Sequence, residues 1–129
     1  ARGEGFQGRG GRAIDALREV GELVRRHRLG IWIMPEGTRS KDGRLLPFKP
    51  GFVHLAIATG VPVVPVIAHG AHHNWEKGST RFNPMVLDIE VLPPIDTSGW
   101  KEETAADHAR EVHDLFVARL RDDQQPLGA

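Results

Sequence analysis

Six consecutive residues, Pro35-Glu36-Gly37-Thr38-Arg39-Ser40, bring a carboxylate, a guanidinium and two hydroxyls to the end of an apolar run, Ile31-Trp32-Ile33-Met34. Arginine offers a planar fork of donors that matches a phosphate bidentately. An ionised glutamate only accepts hydrogen bonds. Glu36 therefore suits a ligand hydroxyl or the orientation of Arg39. Gly37 permits a close backbone approach, and Thr38 adds a hydroxyl beside it. Lys49 lies between Phe48 and Pro50, just ahead of a short helical stretch. A cation there adds to the anion-holding tendency of a helix N-terminus. Together these residues suit an anionic, hydroxylated ligand. The plainer reading, a surface Glu–Arg ion pair worth under about 1 kcal/mol, fits the same spacing.

Histidines form the second group of interest. His69, His72 and His73 fall within five residues, and imidazoles are zinc ligands. Glu76 is the only nearby carboxylate and stands at no convincing spacing, so the stretch reads as a solvated loop and no metal is expected. His54 reads as a packed or partly exposed residue on a helix face. Trp75 and Trp100 suit simple packing or a membrane–water interface.

The elements that must position these residues follow from periodicity. Over 12–27, apolar residues at Ile14, Leu17, Val20, Leu23 and Val24 give one helical stripe with a charged back, closed near Gly30. Ile31–Met34 reads as a short buried strand whose alternate side chains face opposite sides. Residues 51–59 read as a helix closed by Gly60, and 61–68 as a second buried strand. Pro62 and Pro65 suggest an edge or an irregular ladder there. A polar loop spans 69–84, a third strand 85–95, and a closing helix 102–122, with Ala106, Ala109, Val112, Phe116 and Leu120 inward. The order is that of an α/β domain with a small, partly parallel sheet covered by helices. In such sheets, ligands sit beyond the carboxyl ends of the strands. Residues 1–10 read as a flexible start, 11–122 as the domain and 123–129 as a loose tail.

Composition limits the function classes. Seventeen Lys and Arg balance seventeen Asp and Glu, which argues against a nucleic-acid partner. The absence of cysteine removes disulfides, thiolate metal sites and a Cys nucleophile, and fits a reducing compartment. No apolar run approaches the roughly 18–20 residues of a membrane span, and no signal peptide is visible. The first residue is Ala1 and the start is glycine-rich, so the chain is expected to begin partway through a longer protein with an incomplete domain.

"IWIMPEGTRS", followed by "LLPFKPGFVHLAIATGVPVVPV" and then "VLPPIDTS", resembles the glycerolipid acyltransferase family, in particular the PlsC-like 1-acyl-sn-glycerol-3-phosphate acyltransferases. The likeness covers about residues 12–98. It implies acyl transfer from acyl-CoA or acyl carrier protein, as co-substrate and without a further cofactor, to the free hydroxyl of a lysophospholipid in phospholipid biosynthesis. By the same resemblance Glu36, Gly37 and Arg39 contribute to binding the acceptor's glycerol phosphate, and Thr38 and Lys49 complete the candidate substrate-binding set. Val64 and Pro65 shape the acyl-donor side. The implied setting is a membrane surface on its cytoplasmic side.

The family's chemistry is implied to rest on a His and an Asp separated by four residues, the His as general base and the Asp orienting it. None of the seven histidines has an Asp five positions on. The dyad is therefore expected upstream of this chain, and the isolated chain is expected to be inactive. Arg9 and Arg12 lie near a second upstream block of the family, but "GEGFQGRG" lacks its apolar lead-in. The alternative readings are a non-catalytic lipid- or anion-binding module and an acyltransferase for another lysophospholipid.

Overall fold

The computed structural model describes residues 4–128. Helix α1, Glu4–His27, starts earlier than its apolar stripe, so residues 4–10 are helical rather than irregular. Its last turn carries Arg25, Arg26 and His27, cations that suit the negative end of the helix dipole. Helix α2, Gly51–Thr59, has the extent that its sequence suggests. Gly60 closes it at φ 69°, its N–H bonded to the Ala56 carbonyl, the left-handed stop that glycine adopts most cheaply.

Helix α1 lies on α2. Val24 is buried between them. A Cβ on Gly21 would stand 2.8 Å from the Ala58 carbonyl oxygen, so only glycine allows this approach. Arg25 Nη1 donates to the same oxygen at 2.7 Å. On its other side α2 meets α4, Ala105–Val117, which follows a 3₁₀ turn at Glu102–Thr104. Phe52, Val53, Ala105, Ala109 and Val112 form the core, and Phe48, Ile57, Trp100 and Phe116 pack around it. Trp100 stacks on His108 at 4.8 Å, which places it in the packing rather than at an interface. Ala105 rather than Ala106 joins Ala109 inward, because it stands four residues before Ala109 and seven before Val112 on the buried face.

The described residues contain one sheet, of two strands: β1, Val66–His69, and β2, Asp88–Val91. Between them lies the short helix α3, Ala71–Asn74. The strands run antiparallel, with Val66 opposite Val91 and His69 opposite Asp88. A single bridge, Val63 to Ile95, continues the pairing. The regular ladder starts only after Pro65 because Pro62 and Pro65 have no N–H to donate. The strands read at 61–68 and 85–95 are both shortened accordingly.

The expected partly parallel sheet does not form among these residues. Ile31–Met34 is extended but belongs to no strand, and Trp32 is 76% exposed. An apolar run records a demand for burial; a strand also needs a neighbour to take its backbone hydrogen bonds, and here none lies alongside. The C-terminal residues are better held than a loose tail. Gln124 is buried, and its carbonyl and side-chain oxygens accept from the backbone N–H of Leu45 and Gly70, each at 2.9 Å. Arg44 donates to the Gln125 carbonyl at 2.8 Å.

Candidate functional site

Pro35 ends the extended run, and the chain turns at once. Gly37 N–H donates to the Met34 carbonyl at 3.0 Å, with Gly37 at φ 74°, where a side chain is strained. Twelve residues after Gly37, Lys49 N–H donates to the Pro35 carbonyl at 2.8 Å. This bond brings Lys49 back beside the turn, just ahead of α2. The lysine side chain lies over Gly37: a Cβ there would come within 3.0 Å of Nζ.

Glu36 is half-buried, and its Oε2 accepts from Leu46 N–H at 2.8 Å. Burial raises its pKa above the ordinary carboxylate value, while the Leu46 amide and the nearby His113 pull the other way. The carboxylate therefore fastens the turn to the following loop. Arg39, its expected partner in an ion pair, goes elsewhere. Nη1 donates to the Trp75 carbonyl at 3.3 Å, and the guanidinium carbon stands 4.9 Å from the Trp75 ring centroid. Trp75 itself is held by its indole N–H, which donates to the Ser79 carbonyl at 2.8 Å. Lys77 Nζ donates to Thr38 Oγ1 at 3.1 Å.

The turn is thus ringed by three cations, Arg39, Lys49 and Lys77, none of them paired with a carboxylate among the described residues. The anchoring carboxylate is engaged by a backbone amide. An arrangement of this kind can take up an anion without first giving up a salt bridge. Sequence reasoning singled out Glu36, Gly37, Thr38, Arg39 and Lys49 as candidates, and the structure places them around one turn. It missed Trp75 and Lys77, which come from a loop more than thirty-five residues away and carry no local signal.

The turn opens into a groove of about 950 Å³ whose walls include Trp32, Met34, Arg39, Val64, Trp75 and Lys77. Val64 is largely exposed, whereas Pro65 is buried and its carbonyl accepts from Leu92 N–H at 2.9 Å. Of the two residues expected on the donor side, Val64 faces open space and Pro65 anchors the segment. The histidines separate. His69 Nε2 pairs with Glu90 at 3.0 Å, and His72 and His73 turn toward Asp123. His54 pairs with Glu102.

Residues 6–69 match a family model described as Acyltransferase. A 1-acyl-sn-glycerol-3-phosphate acyltransferase of Limnanthes douglasii is 43% identical over 117 residues, covering 91% of this chain and 42% of the relative. The chain belongs to the acyltransferase family. A human relative, 1-acyl-sn-glycerol-3-phosphate acyltransferase alpha, is 37% identical over 114 residues, which are 88% of this chain and 40% of that protein. The crystal structure of the 1-acyl-sn-glycerophosphate (LPA) acyltransferase PlsC from Thermotoga maritima superposes with a TM-score of 0.65 at 36% identity. That match covers 82% of this chain and 46% of the other. The chain spans about two-fifths of the length of these curated relatives. The residues from Pro35 to Pro65 all fall inside the span matched to the family, and Trp75 and Lys77 lie beyond it.

Proposed function

We propose that this chain is the acceptor-binding part of a 1-acyl-sn-glycerol-3-phosphate acyltransferase, which transfers an acyl group to the free hydroxyl of lysophosphatidate during phospholipid biosynthesis. The carrying observation is the cation-ringed turn: Arg39 on Trp75, Lys49 over Gly37 and Lys77 on Thr38. Three positive groups around one turn suit a phosphate monoester. Names of the relatives identify that substrate for them.

The phosphate is held by Arg39 bidentately and by Lys49 as a point charge. Glu36, fastened by Leu46, keeps the turn in place and has a free oxygen for a glycerol hydroxyl. The groove past Val64 takes the acyl donor, acyl-CoA or acyl carrier protein, as co-substrate with no cofactor taking part in the transfer. A His and an Asp separated by four residues are supplied by the longer protein, the Asp orienting the His. The His takes the proton from the acceptor hydroxyl as that oxygen attacks the donor's thioester carbonyl, and the donor leaves as its thiol with that proton. In that protein a further strand pairs with Ile31–Met34, covers Trp32 and makes the sheet partly parallel. The reaction takes place at a membrane surface on its cytoplasmic side. No helix among the described residues is long and apolar enough to cross a membrane.

The test is acyl transfer by the full-length protein. With acyl-CoA, or with acyl carrier protein as donor, lysophosphatidate should become phosphatidate far faster than other lysophospholipids react. Equal rates on lysophosphatidylcholine would remove the phosphate-monoester reading. A full-length protein that binds lysophosphatidate and transfers nothing would leave a lipid-binding module.

A further inference from the structure

Outside the anion turn, two imidazoles and a carboxylate converge at the junction of α3 with the C-terminal residues. Helix α3 presents His72 and His73, and the 3₁₀ turn Asp122–Gln124 presents Asp123. His73 Nε2 lies 3.0 Å from Asp123 Oδ2, and His72 Nε2 lies 3.8 Å from the same oxygen. One donor atom from each residue lies within 4.8 Å of the others. In a tetrahedral zinc site with bonds near 2.0–2.1 Å, donor atoms stand about 3.3 Å apart. The two measured spacings bracket that edge.

His72 carries the inference beyond proximity. Its side chain is 21% exposed. Its Nδ1 is buried and has no hydrogen-bond partner among the described residues, and its Nε2 is too far from Asp123 for a hydrogen bond. A largely buried imidazole is expected to be satisfied. Here Nδ1 stays unpartnered beside Gly43, and the other ring nitrogen, Nε2, stands 3.8 Å from the Asp123 carboxylate, a gap of metal-edge length. The ring is also fixed in place: a Cβ on Gly43 would collide with His72 Cδ2 at 2.2 Å, so the glycine makes room for it.

Asp123 is fixed equally well. The next residue, Gln124, is buried and holds the backbone of Leu45 and of Gly70, which immediately precedes α3. The ligands therefore come from two segments that the fold already clamps together.

We propose that His72, His73 and Asp123 form a binding site for a zinc-class divalent metal ion, with two imidazoles, one carboxylate and a fourth position open to water. Imidazole selects borderline metals such as zinc over magnesium or calcium, which prefer all-oxygen ligands. The ion would pin α3 to the C-terminal turn. Trp75, the platform for Arg39, is the first residue after α3. A metal here steadies one wall of the anion turn and takes no part in acyl transfer.

Titration calorimetry of the 129-residue chain with zinc chloride, in a buffer that does not chelate, tests the site. One zinc per chain should bind, the melting temperature should rise, and EDTA should reverse both effects. His73→Gln and Asp123→Asn, both at exposed side chains, should each weaken binding at least about tenfold. His54→Ala, which breaks a pair with Glu102 and removes none of the three ligands, should leave binding unchanged. Zinc bound with equal affinity by wild type and by both ligand variants would overturn the site, as would no uptake at millimolar zinc.

Discussion

The guanidinium carbon of Arg39 stands 4.9 Å from the centre of the Trp75 ring, and its Nη1 donates to the carbonyl of the same residue. One residue thus supplies both the flat surface and the acceptor that aim the arginine. A cation–π contact at an exposed site is worth about 0.5–1 kcal/mol. Trp75→Ala should therefore raise the acceptor KM of the complete enzyme by roughly twofold to fivefold and leave kcat near its original value. Trp75→Phe should recover most of the loss, since the ring face and the backbone carbonyl remain. Steady-state kinetics at saturating donor separate the two parameters. A fall in kcat with no change in KM would place Trp75 outside acceptor binding.

Gly37 should resist substitution. At φ 74° a side chain costs about 1–2 kcal/mol, and the new Cβ would press on the Lys49 side chain at 3.0–3.3 Å. Gly60→Ala makes the comparison, because its φ is 69° with nothing within 4 Å. Urea melts should show Gly37→Ala destabilising at least as much as Gly60→Ala. A neutral Gly37→Ala would mean that the turn relaxes without cost.

The Glu36 carboxyl has a folded pKa above its ordinary value of 4.5, with burial the largest cause. Its favourable contribution is therefore complete below 4.5 and is lost as pH rises through the raised folded value. Near neutral pH the buried carboxylate opposes folding. Glu36→Gln keeps an oxygen for the Leu46 amide and removes the charge, so it should melt at or slightly above the wild-type temperature at pH 7. The difference should shrink as pH falls below 4.5. Melting curves across that range check the sign. A variant less stable at pH 7 than at pH 4, relative to wild type, would show that the charge is stabilising.

Two large apolar residues should respond in opposite ways. Trp32 is 76% exposed and Ile67 is 1% exposed. In the 129-residue chain, Trp32→Ala should change stability by less than about 0.5 kcal/mol, as surface substitutions do. Ile67→Ala should cost about 2–5 kcal/mol through lost transfer energy and a cavity. Urea denaturation measures both. A cost for Trp32→Ala within the Ile67→Ala range would mean that the extended run is covered in solution.

Helix α2 was readable to the residue because Pro50 and Gly60 punctuate it and most of its residues are apolar. Glu36, Gly37, Thr38, Arg39 and Lys49 were readable as a group because local sequence sets both their chemistry and their turn. Trp32 marks where such reading stops. Its run has the composition of a buried strand, but pairing depends on a neighbour that composition does not reveal. Trp75 and Lys77 were hidden for a related reason: only the path of the 69–84 loop carries them to Arg39 and Thr38. The tie of Gln124 to Leu45 and Gly70 joins segments distant in sequence, so a tail that looks loose by composition is held. Ala105 was legible in principle, since it stands four and seven residues before Ala109 and Val112 on the buried face.

The central claim is that the turn after Met34 binds the acceptor's phosphate through Arg39, and acceptor kinetics of Arg39→Lys and Arg39→Ala in the complete enzyme test it most directly. Lysine keeps the charge and loses the bidentate fork and the planar stack on Trp75. Arg39→Lys should therefore raise the KM for lysophosphatidate more than the KM for the acyl donor. Arg39→Ala should be worse, losing about 1.5–3 kcal/mol of acceptor binding, the range for hydrogen bonds to charged groups. Acceptor KM values unchanged in both variants, with the fold intact by melting temperature, would contradict the claim.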